Sequence, residues 1–146
     1  TDNCILNSVL NIKYSAAQVA DIKIESNIFV PKYMNIDYGD MGVLFGNLLD
    51  NAIEANQGVD RKKRWINVSV KYEEHILIIN IKNSKIRGSR RKKKGYLNHG
   101  IGLNSVKQIV EKFNGIVEVQ DFGEMYEVSA ILYGICDDKD LGKSVL

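Results

Sequence analysis

The stretch LFGNLLDNAIEA, residues 44–55, is the most informative part of this 146-residue chain. Its apolar residues recur at a spacing that predicts a largely buried helix over residues 40–57, with Asp40 as the N-cap and Gly58 after its end. Four polar residues fall within one arc of about 100° on that helix; they are Asn47, Asp50, Asn51 and Glu54. The stretch therefore predicts a core helix that carries one polar stripe.

This polar stripe has two interpretations. In the simpler one, the helix is amphipathic and the stripe is its solvated face. However, asparagine is a poorer helix former than alanine by roughly half a kcal/mol, and an exposed face would hold Lys, Glu or Gln at less cost. Amide and carboxylate oxygens are ligands that Mg²⁺ prefers, together with water and phosphate oxygens. Asn47 and Asn51, one turn apart, are therefore candidate ligands for a metal or a phosphate.

The rest of the chain alternates between helical and strand-like patterns. Helical spacing predicts helices over residues 4–20 and 103–113. Alternating or continuous apolar runs predict five strands, over residues 22–30, 65–72, 75–82, 116–120 and 125–133. Residues 83–99 are too long and too charged for a simple turn, and they predict a loop. The fold class expected from this order is α/β (α+β), a two-layer sandwich with helices on one face of a mixed β-sheet.

Two glycines precede the predicted helix 103–113, in the sequence His99-Gly100-Ile101-Gly102-Leu103. Glycines let the backbone approach a ligand closely, and the unbonded N–H groups and dipole of a helix N-terminus attract a phosphate. The segment therefore predicts a phosphate site. An ordinary tight connection into a helix explains the same residues equally simply.

The positive charge of the chain is concentrated in one segment. Residues 82–94 carry eight Lys or Arg, and the remainder carries 12 basic against 18 acidic residues. The run at residues 90–94 could fold over a triphosphate, although a solvated loop is the simpler interpretation of it. A protein that is basic over its whole surface, as general nucleic-acid binders often are, is excluded.

Cys4 and Cys136 are isolated, which predicts reduced thiols in a cytoplasmic protein and argues against a structural zinc site.

The two motifs, in this order, resemble those of the GHKL ATPase superfamily, which includes histidine kinases, DNA gyrase, MutL and the large heat-shock chaperone. Residues 47–55 resemble its N-box and residues 100–103 its G2 box, and the resemblance covers roughly residues 3–133. The residues of these motifs, and the stretch CILNSVLNIKYSAA near the N-terminus, resemble those of the Agr-type branch of peptide-sensing quorum kinases. The resemblance implies a Bergerat (GHKL ATPase) fold that binds ATP and Mg²⁺ between the N-box helix and a lid.

By position, the resemblance implies a role for each residue of the site. Asn51 would ligate Mg²⁺, and Asn47 would assist the metal or a phosphate. The phosphates would be contacted by the G2 box and the lid, namely Lys94, His99, Gly100, Ile101, Gly102 and Leu103. The family's adenine-binding Asp-x-Gly-x-Gly box is absent. Asn83, whose side-chain carbonyl can accept from the adenine amino group, is assigned in its place.

The resemblance implies a two-component sensor histidine kinase. The hydrolysing branches have a glutamate base where this chain has Asn47, so we expect poor hydrolysis and transfer of the γ-phosphate to a histidine instead. Asp50 or Glu54 would orient the acceptor imidazole. Because His75 and His99 do not fit an exposed phosphotransfer helix, the acceptor is expected outside a truncated chain.

The expected organisation has three parts. Residues 1–20 would end a dimerisation helix or linker, residues 21–134 would form the ATP-binding catalytic domain, and residues 135–146 would be a loosely held tail. The expected partners are ATP, the parent protein's dimerisation and phosphoacceptor helices, and a response regulator. The parent is expected to be a membrane-bound homodimer with this domain in the cytoplasm.

Two alternatives stay open. The first is another GHKL nucleotide-binding module, such as an anti-sigma-type serine kinase. The second is a nucleic-acid-binding domain that uses the basic segment 82–94. Against the second, that segment has no interleaved aromatic residue before Tyr96, and stacking groups usually accompany single-strand binding.

Overall fold

The computed structural model describes residues 1–88 and 91–136, and for residues 91–101 it describes the backbone alone. Within these ranges, three α-helices lie against a five-stranded mixed sheet, which confirms the predicted two-layer architecture. None of these helices is long and apolar enough to cross a bilayer. The elements in chain order are α1 (Cys4–Val19), β1 (Lys23–Phe29), α2 (Tyr38–Ala55), β2 (Trp65–Glu73), β3 (Ile76–Ser84), α3 (Arg91–Lys112), β4 (Ile116–Asp121) and β5 (Met125–Leu132).

The sheet has the strand order β1-β2-β3-β5-β4, in which only the β1–β2 pair is parallel. Side chains alternate between the two faces of β3. Leu77, Ile79 and Ile81 are at most 1% exposed, whereas Ile78 on the opposite face is 36% exposed. The helices therefore cover one face of the sheet, and the core lies between that face and the helical layer.

Helix α2 is the central element of the helical layer. It begins at Tyr38, because the Asp37 carboxylate accepts hydrogen bonds from the backbone N–H groups of Gly39 (2.7 Å) and Asp40 (3.2 Å). Asp37 is thus the N-cap, and the predicted cap at Asp40 is wrong. The apolar side of the helix is fully buried, and each large apolar side chain buried in this way stabilises the fold by about 1.5–3 kcal/mol.

Helix α1 belongs to the packed domain. Its apolar side is buried against the core through Leu6, Leu10 and Ala17, which are at most 3% exposed. Asn3 caps the helix by accepting a hydrogen bond from the N–H of Leu6 at 3.0 Å. The apolar face of α1 therefore completes the core of the domain, and the expectation that residues 1–20 end a dimerisation helix or linker stays a prediction.

Helix α3 is longer than the sequence predicts. Strand β3 continues to Ser84, and α3 begins at Arg91, so the predicted loop over residues 83–99 and the predicted helix start at residue 103 are wrong. The basic run contains good helix formers, and no proline stands between Ser84 and the end of α3. The three glycines of α3, Gly95, Gly100 and Gly102, cost about 1 kcal/mol each in a helix interior, which lowers helix propensity without forbidding a helix.

The end of α3 and the last strands are tied closely together. The helix stops at Lys112, and Asn114 adopts a left-handed backbone with φ 54°. A Cβ atom on Gly115 would lie 1.9 Å from the Ile131 carbonyl oxygen, so only glycine fits there. This confirms the predicted helix stop at Asn114-Gly115.

The segment after β5 is anchored at its start. Ile135 is fully buried, donates its N–H to the His75 carbonyl (2.8 Å) and accepts a hydrogen bond from the Tyr72 hydroxyl (3.1 Å). The next residue, Cys136, accepts a hydrogen bond from the N–H of Asn35 at 3.0 Å. The expectation of a loosely held tail is therefore wrong for residues 135 and 136. Residues 137–146 lie outside the described residues.

Candidate functional site

The two asparagines of the polar stripe on α2 lie next to different elements of the fold. Asn51 is 7% exposed, and its side chain lies close enough to Tyr126 on β5 to lower the pKa of that hydroxyl. Asn47, one turn earlier, faces α3, because a Cβ atom on Gly102 would lie 3.9 Å from the Asn47 side chain. The two asparagines thus line the side of α2 that faces β5 and α3, where their oxygens could hold a cation.

The two acids of the stripe lie elsewhere. Asp50 is turned toward α1, where its carboxylate lies 2.7 Å from the ammonium group of Lys13. Glu54 is exposed. Of the four stripe residues predicted for the site, the structure therefore places Asn47 and Asn51 on one side of the helix and directs Asp50 away from them.

Asn83 is buried at the end of β3, with 1% of its surface exposed. Its side-chain NH₂ group donates to the Ser84 carbonyl oxygen at 3.0 Å. Its side-chain carbonyl oxygen has no hydrogen-bond partner within the described part of the chain. An unsatisfied buried acceptor costs about 1–3 kcal/mol, and each such group needs an explanation. This oxygen is available to a donor on a bound ligand.

A buried polar network, which sequence reasoning missed, holds this end of the sheet under α2. The Ser84 hydroxyl donates to the Asn56 side-chain carbonyl and accepts from the backbone N–H of Trp65 at 2.9 Å. The Asn56 NH₂ group in turn donates to the Ala52 carbonyl at 3.0 Å. Asn56 lies inside the helix predicted over residues 40–57, so the sequence carried no signal for its role after the observed end of α2. The network fixes the backbone carbonyl that orients Asn83.

Tyr126 is a second residue that sequence reasoning missed. It pairs with Asn83 in the β3–β5 ladder and with Asp121 in the β4–β5 ladder. Burial, and secondarily the Asp121 carboxylate, raises the pKa of the Tyr126 hydroxyl above its ordinary value, and the nearby Asn51 side chain acts in the opposite direction. The phenol is therefore neutral at neutral pH. Its strand was predicted, but the register that sets it beside Asn83 was not.

The predicted phosphate segment has a different geometry from the one expected. Gly100 and Gly102 lie inside α3 instead of opening a helix, so their N–H groups are not at a helix N-terminus. Gly102 and the half-buried Leu103 are described with their surroundings, and Gly102 adjoins Asn47. The side chains of Lys94, His99 and Ile101 lie outside the described residues.

Part of the basic segment is held by contacts within the folded domain. The ammonium group of Lys85 lies 2.9 and 3.0 Å from the two carboxylate oxygens of Asp121 and donates to the Gly123 carbonyl at 3.0 Å. The Lys85 side chain is only 9% exposed. Over the described residues, no group of three or more His, Cys, Asp or Glu side chains could hold a metal ion.

Comparisons with known proteins agree with this arrangement. A family model described as the GHKL domain matches residues 36–132, which is more than half of the chain. A probable C4-dicarboxylate sensor kinase of Bacillus subtilis (strain 168) is 32% identical over 95 residues, covering 58% of this chain and 18% of that protein. The chain thus spans less than a fifth of that relative's length.

Solved structures with the same fold are histidine kinases. The catalytic domain of histidine kinase ThkA, in a nucleotide-free form, superposes with a TM-score of 0.69 at 14% identity, over 89% of this chain and 91% of that one. Histidine kinase AdeS of Acinetobacter baumannii gives 0.64 at 16% identity, over 89% of this chain and 63% of that one. Full-length ShkA in complex with AMPPNP gives 0.69 at 13% identity, over 94% and 31%. Because the GHKL model spans most of the folded unit, the protein belongs to the GHKL domain family, with the fold of histidine kinase catalytic domains.

Proposed function

We propose that this chain is the ATP-binding catalytic domain of a two-component sensor histidine kinase. In this proposal it transfers the γ-phosphate of ATP to a histidine outside the chain. The observation that carries the proposal is the buried side-chain oxygen of Asn83, which has no hydrogen-bond partner among the described residues. It lies at the end of the sheet beside Tyr126, its partner in the β3–β5 ladder.

Asn83 has the chemistry that an adenine site requires. Its NH₂ group is held by the Ser84 carbonyl, so its oxygen presents an acceptor to the ligand. Turning the amide over would set two carbonyl oxygens against each other and leave the NH₂ group unpartnered, at a cost of about 1–3 kcal/mol. The amino group of adenine supplies the missing donor, whereas guanine carries an oxygen at the corresponding position.

The α2 asparagines have the chemistry that a Mg²⁺–phosphate site requires. Asn51 would ligate the metal and Asn47 would assist it or a phosphate, because both carry amide oxygens on the side of α2 that faces β5 and α3. Mg²⁺ bound there would neutralise part of the phosphate charge. The bare backbone of Gly102 beside Asn47 leaves room for phosphate oxygens. We keep Lys94, His99, Gly100, Ile101 and Leu103 as further phosphate contacts, on the resemblance of their motif.

The site favours transfer over hydrolysis in this proposal. A hydrolysing enzyme needs a general base near the γ-phosphate, and the Asn47 amide cannot accept a proton. The site would instead accelerate the reaction by positioning the reactants and neutralising phosphate charge, which is how phosphoryl transfer is usually accelerated. Lys13 engages Asp50. Glu54, on the exposed part of the stripe, is the proposed residue for orienting the acceptor imidazole.

The parent protein and its branch are also part of the proposal. The sequences of the motifs at residues 47–55 and 100–103 support an Agr-type quorum-sensing kinase, although the B. subtilis relative is named for a different signal. The proposed partners are the parent's phosphoacceptor helices in a membrane-bound homodimer and a response regulator.

Calorimetry tests the nucleotide site directly. The chain would be titrated with AMPPNP, with and without Mg²⁺, beside Asn83→Leu, Asn51→Ala and the control Asn67→Ala on an exposed position of β2. We expect Asn83→Leu to weaken binding with and without metal, and Asn51→Ala to weaken it only with metal. Absence of binding to the unmodified chain at millimolar AMPPNP would refute the proposal.

A second experiment separates the kinase from its alternatives. Incubation of the full-length parent with labelled ATP should give an acid-labile phosphohistidine, whereas a serine kinase gives an acid-stable product. Nucleic-acid binding that falls steeply with salt, without any nucleotide requirement, would favour the basic segment instead. The burial of Lys85 against Asp121 already removes one cation from such a surface.

A further inference from the structure

The side-chain amide of Asn83 can present either of two ends to a ligand. A carboxamide has an acceptor at its oxygen and two donors at its NH₂ group, so turning it over changes which base it can bind. In the structure the NH₂ group donates to the Ser84 carbonyl oxygen at 3.0 Å, and the side-chain oxygen has no partner among the described residues. The Ser84 carbonyl therefore decides that Asn83 presents an acceptor.

Ser84 lies where the pairing between β2 and β3 ends. The register of these two strands runs as far as the pair Ile66–Asn83. Beyond that pair a side chain joins the strands, because the backbone N–H of Trp65 donates to the hydroxyl oxygen of Ser84 at 2.9 Å. Ser84 is 5% exposed. Its hydroxyl thus holds the last residue of β3 against β2.

Asn56, directly after α2, holds the same hydroxyl from the other side. Its side-chain oxygen accepts the hydrogen bond that the Ser84 hydroxyl donates, and Asn56 is 1% exposed. The Asn56 amide is itself oriented, since its NH₂ group donates to the Ala52 carbonyl at 3.0 Å and lies 3.4 Å from the Trp65 carbonyl. A buried network whose polar groups are hydrogen-bonded is rigid and specifies one geometry.

We propose that Ser84 and Asn56 are positioning residues for base recognition. They hold residue 84 in place, its backbone carbonyl holds the NH₂ group of Asn83, and the Asn83 oxygen then favours a base that offers an amino group, as adenine does. This inference rests on the proposed function. It adds to the base site two residues that neither the motifs nor the comparisons assign.

A positioning role has a consequence that a purely structural role does not have. A network that only stabilised the fold would change the free energy of unfolding, and any effect on affinity would be the same for every nucleotide. A network that orients Asn83 changes the preference between bases, because a released amide can turn over and donate to the oxygen of guanine. The ratio of two affinities therefore separates the two roles.

Calorimetry with two nucleotides tests this inference. The affinities of AMPPNP and GMPPNP would be measured for the unmodified chain, Ser84→Ala and Asn56→Ala, and for both substitutions in the Asn83→Leu background. The two variants remove different ends of the same hydrogen bond. All measurements are made in a stabilising osmolyte, which favours the folded state of every variant alike.

The matched control is Asn80→Ala. It breaks a polar network on the opposite face of β3, where the Asn80 NH₂ group donates to the Glu127 carboxylate at 2.8 Å and to the Ser129 hydroxyl at 2.9 Å. Asn80 alternates with the buried Ile79 and Ile81, so its side chain lies on the face away from the helices. The substitution therefore removes an asparagine from the same strand without touching the base site.

We expect the unmodified chain to prefer AMPPNP by at least about tenfold, and Ser84→Ala and Asn56→Ala each to reduce this preference to within about threefold. Asn80→Ala should leave it unchanged within about twofold. In the Asn83→Leu background, neither substitution should change the ratio by more than about twofold, because the group that they position is gone.

Three results would overturn the inference while leaving the nucleotide site intact. The first is AMPPNP binding by the unmodified chain without any preference over GMPPNP. The second is a preference that both variants retain, whatever their loss of stability or of overall affinity, since the network would then be structural only. The third is a similar change of the ratio in the Asn83→Leu background, which would mean that the network acts on another base-binding residue. Absence of AMPPNP binding by the unmodified chain would instead refute the proposed function, and this inference with it.

Discussion

A Cβ atom built on Gly102 would lie 3.9 Å from both Cβ and Cγ of Asn47, so the backbone of α3 passes beside the polar stripe of α2 without a side chain between them. That distance is an ordinary van der Waals contact, which means that a methyl group fits there. The glycine therefore marks the place where α3 borders the proposed phosphate position. Substitutions of different size at this position can therefore distinguish an effect on helix stability from an effect on access to the site.

Gly102→Ala should stabilise the protein, and Gly102→Leu should impair the site. Alanine in a helix interior gains about 0.5–1 kcal/mol over glycine, which denaturant unfolding can measure. Leucine at the same position would project against Asn47 and should weaken Mg²⁺–AMPPNP binding about tenfold or more. The control Gly42→Ala, with no atom within 4 Å of its new Cβ, should stabilise without changing affinity. An alanine at residue 102 that abolished binding would contradict this account.

Asn83 should make the site selective for adenine over bases with an oxygen at the same position. We expect AMPPNP to bind at least about tenfold more tightly than GMPPNP, because guanine would face an acceptor with an acceptor. Asn83→Leu removes the oxygen, and should reduce the preference to within about threefold while weakening AMPPNP binding.

An inosine analogue supplies the control for this selectivity. It has the oxygen of guanine but lacks the second amino group, so rejection of both bases would trace the preference to that oxygen. A preference for AMPPNP that survived in Asn83→Leu would place base recognition on another residue.

Asn56→Ala should destabilise the fold through the network at the end of the sheet. The substitution leaves the buried Ser84 hydroxyl with only its longer bond to the Trp65 carbonyl (3.3 Å), and the C-terminal end of α2 without its tie to β2. We expect a loss of about 1–3 kcal/mol in the free energy of unfolding. Asn67→Ala, at an exposed position of β2, should change it by less than about 0.5 kcal/mol. Equal effects of the two variants would show that the network carries no net stability.

Much of the fold was predictable because its signals are local. The apolar period of α2, the alternation in β2 and β5 and the continuous apolar run of β3 each arise within a few residues, and the structure confirms these elements. The continuous run of β3 also predicted a strand covered on both faces, which is wrong, because Ile78 is 36% exposed. The extent of α3 was not predictable in this way, because Gly100 and Gly102 lower local helix propensity in a segment that is nevertheless helical.

The candidate site was predictable only in part, for a related reason. Asn47 and Asn51 share one helix, so their common face follows from the helical period. The closeness of the Asn51 and Tyr126 side chains depends on the register between β3 and β5 and on how α2 crosses the sheet. Register is set by packing over the whole sheet, and a single sequence does not specify it.

Asp50 should be dispensable for nucleotide binding and for phosphotransfer, because Lys13 holds its carboxylate toward α1. The ion pair is 2.7 Å long and half-exposed on the Asp50 side, so its contribution to stability should stay below about 1 kcal/mol and decrease with salt. We expect Asp50→Asn to change AMPPNP affinity and the rate of phosphohistidine formation by less than about twofold. Lys13→Met, which leaves the carboxylate in place, is the matched variant. If Asp50→Asn stopped transfer while Lys13→Met did not, the carboxylate would act in the reaction itself, and its contact with α1 would be incidental.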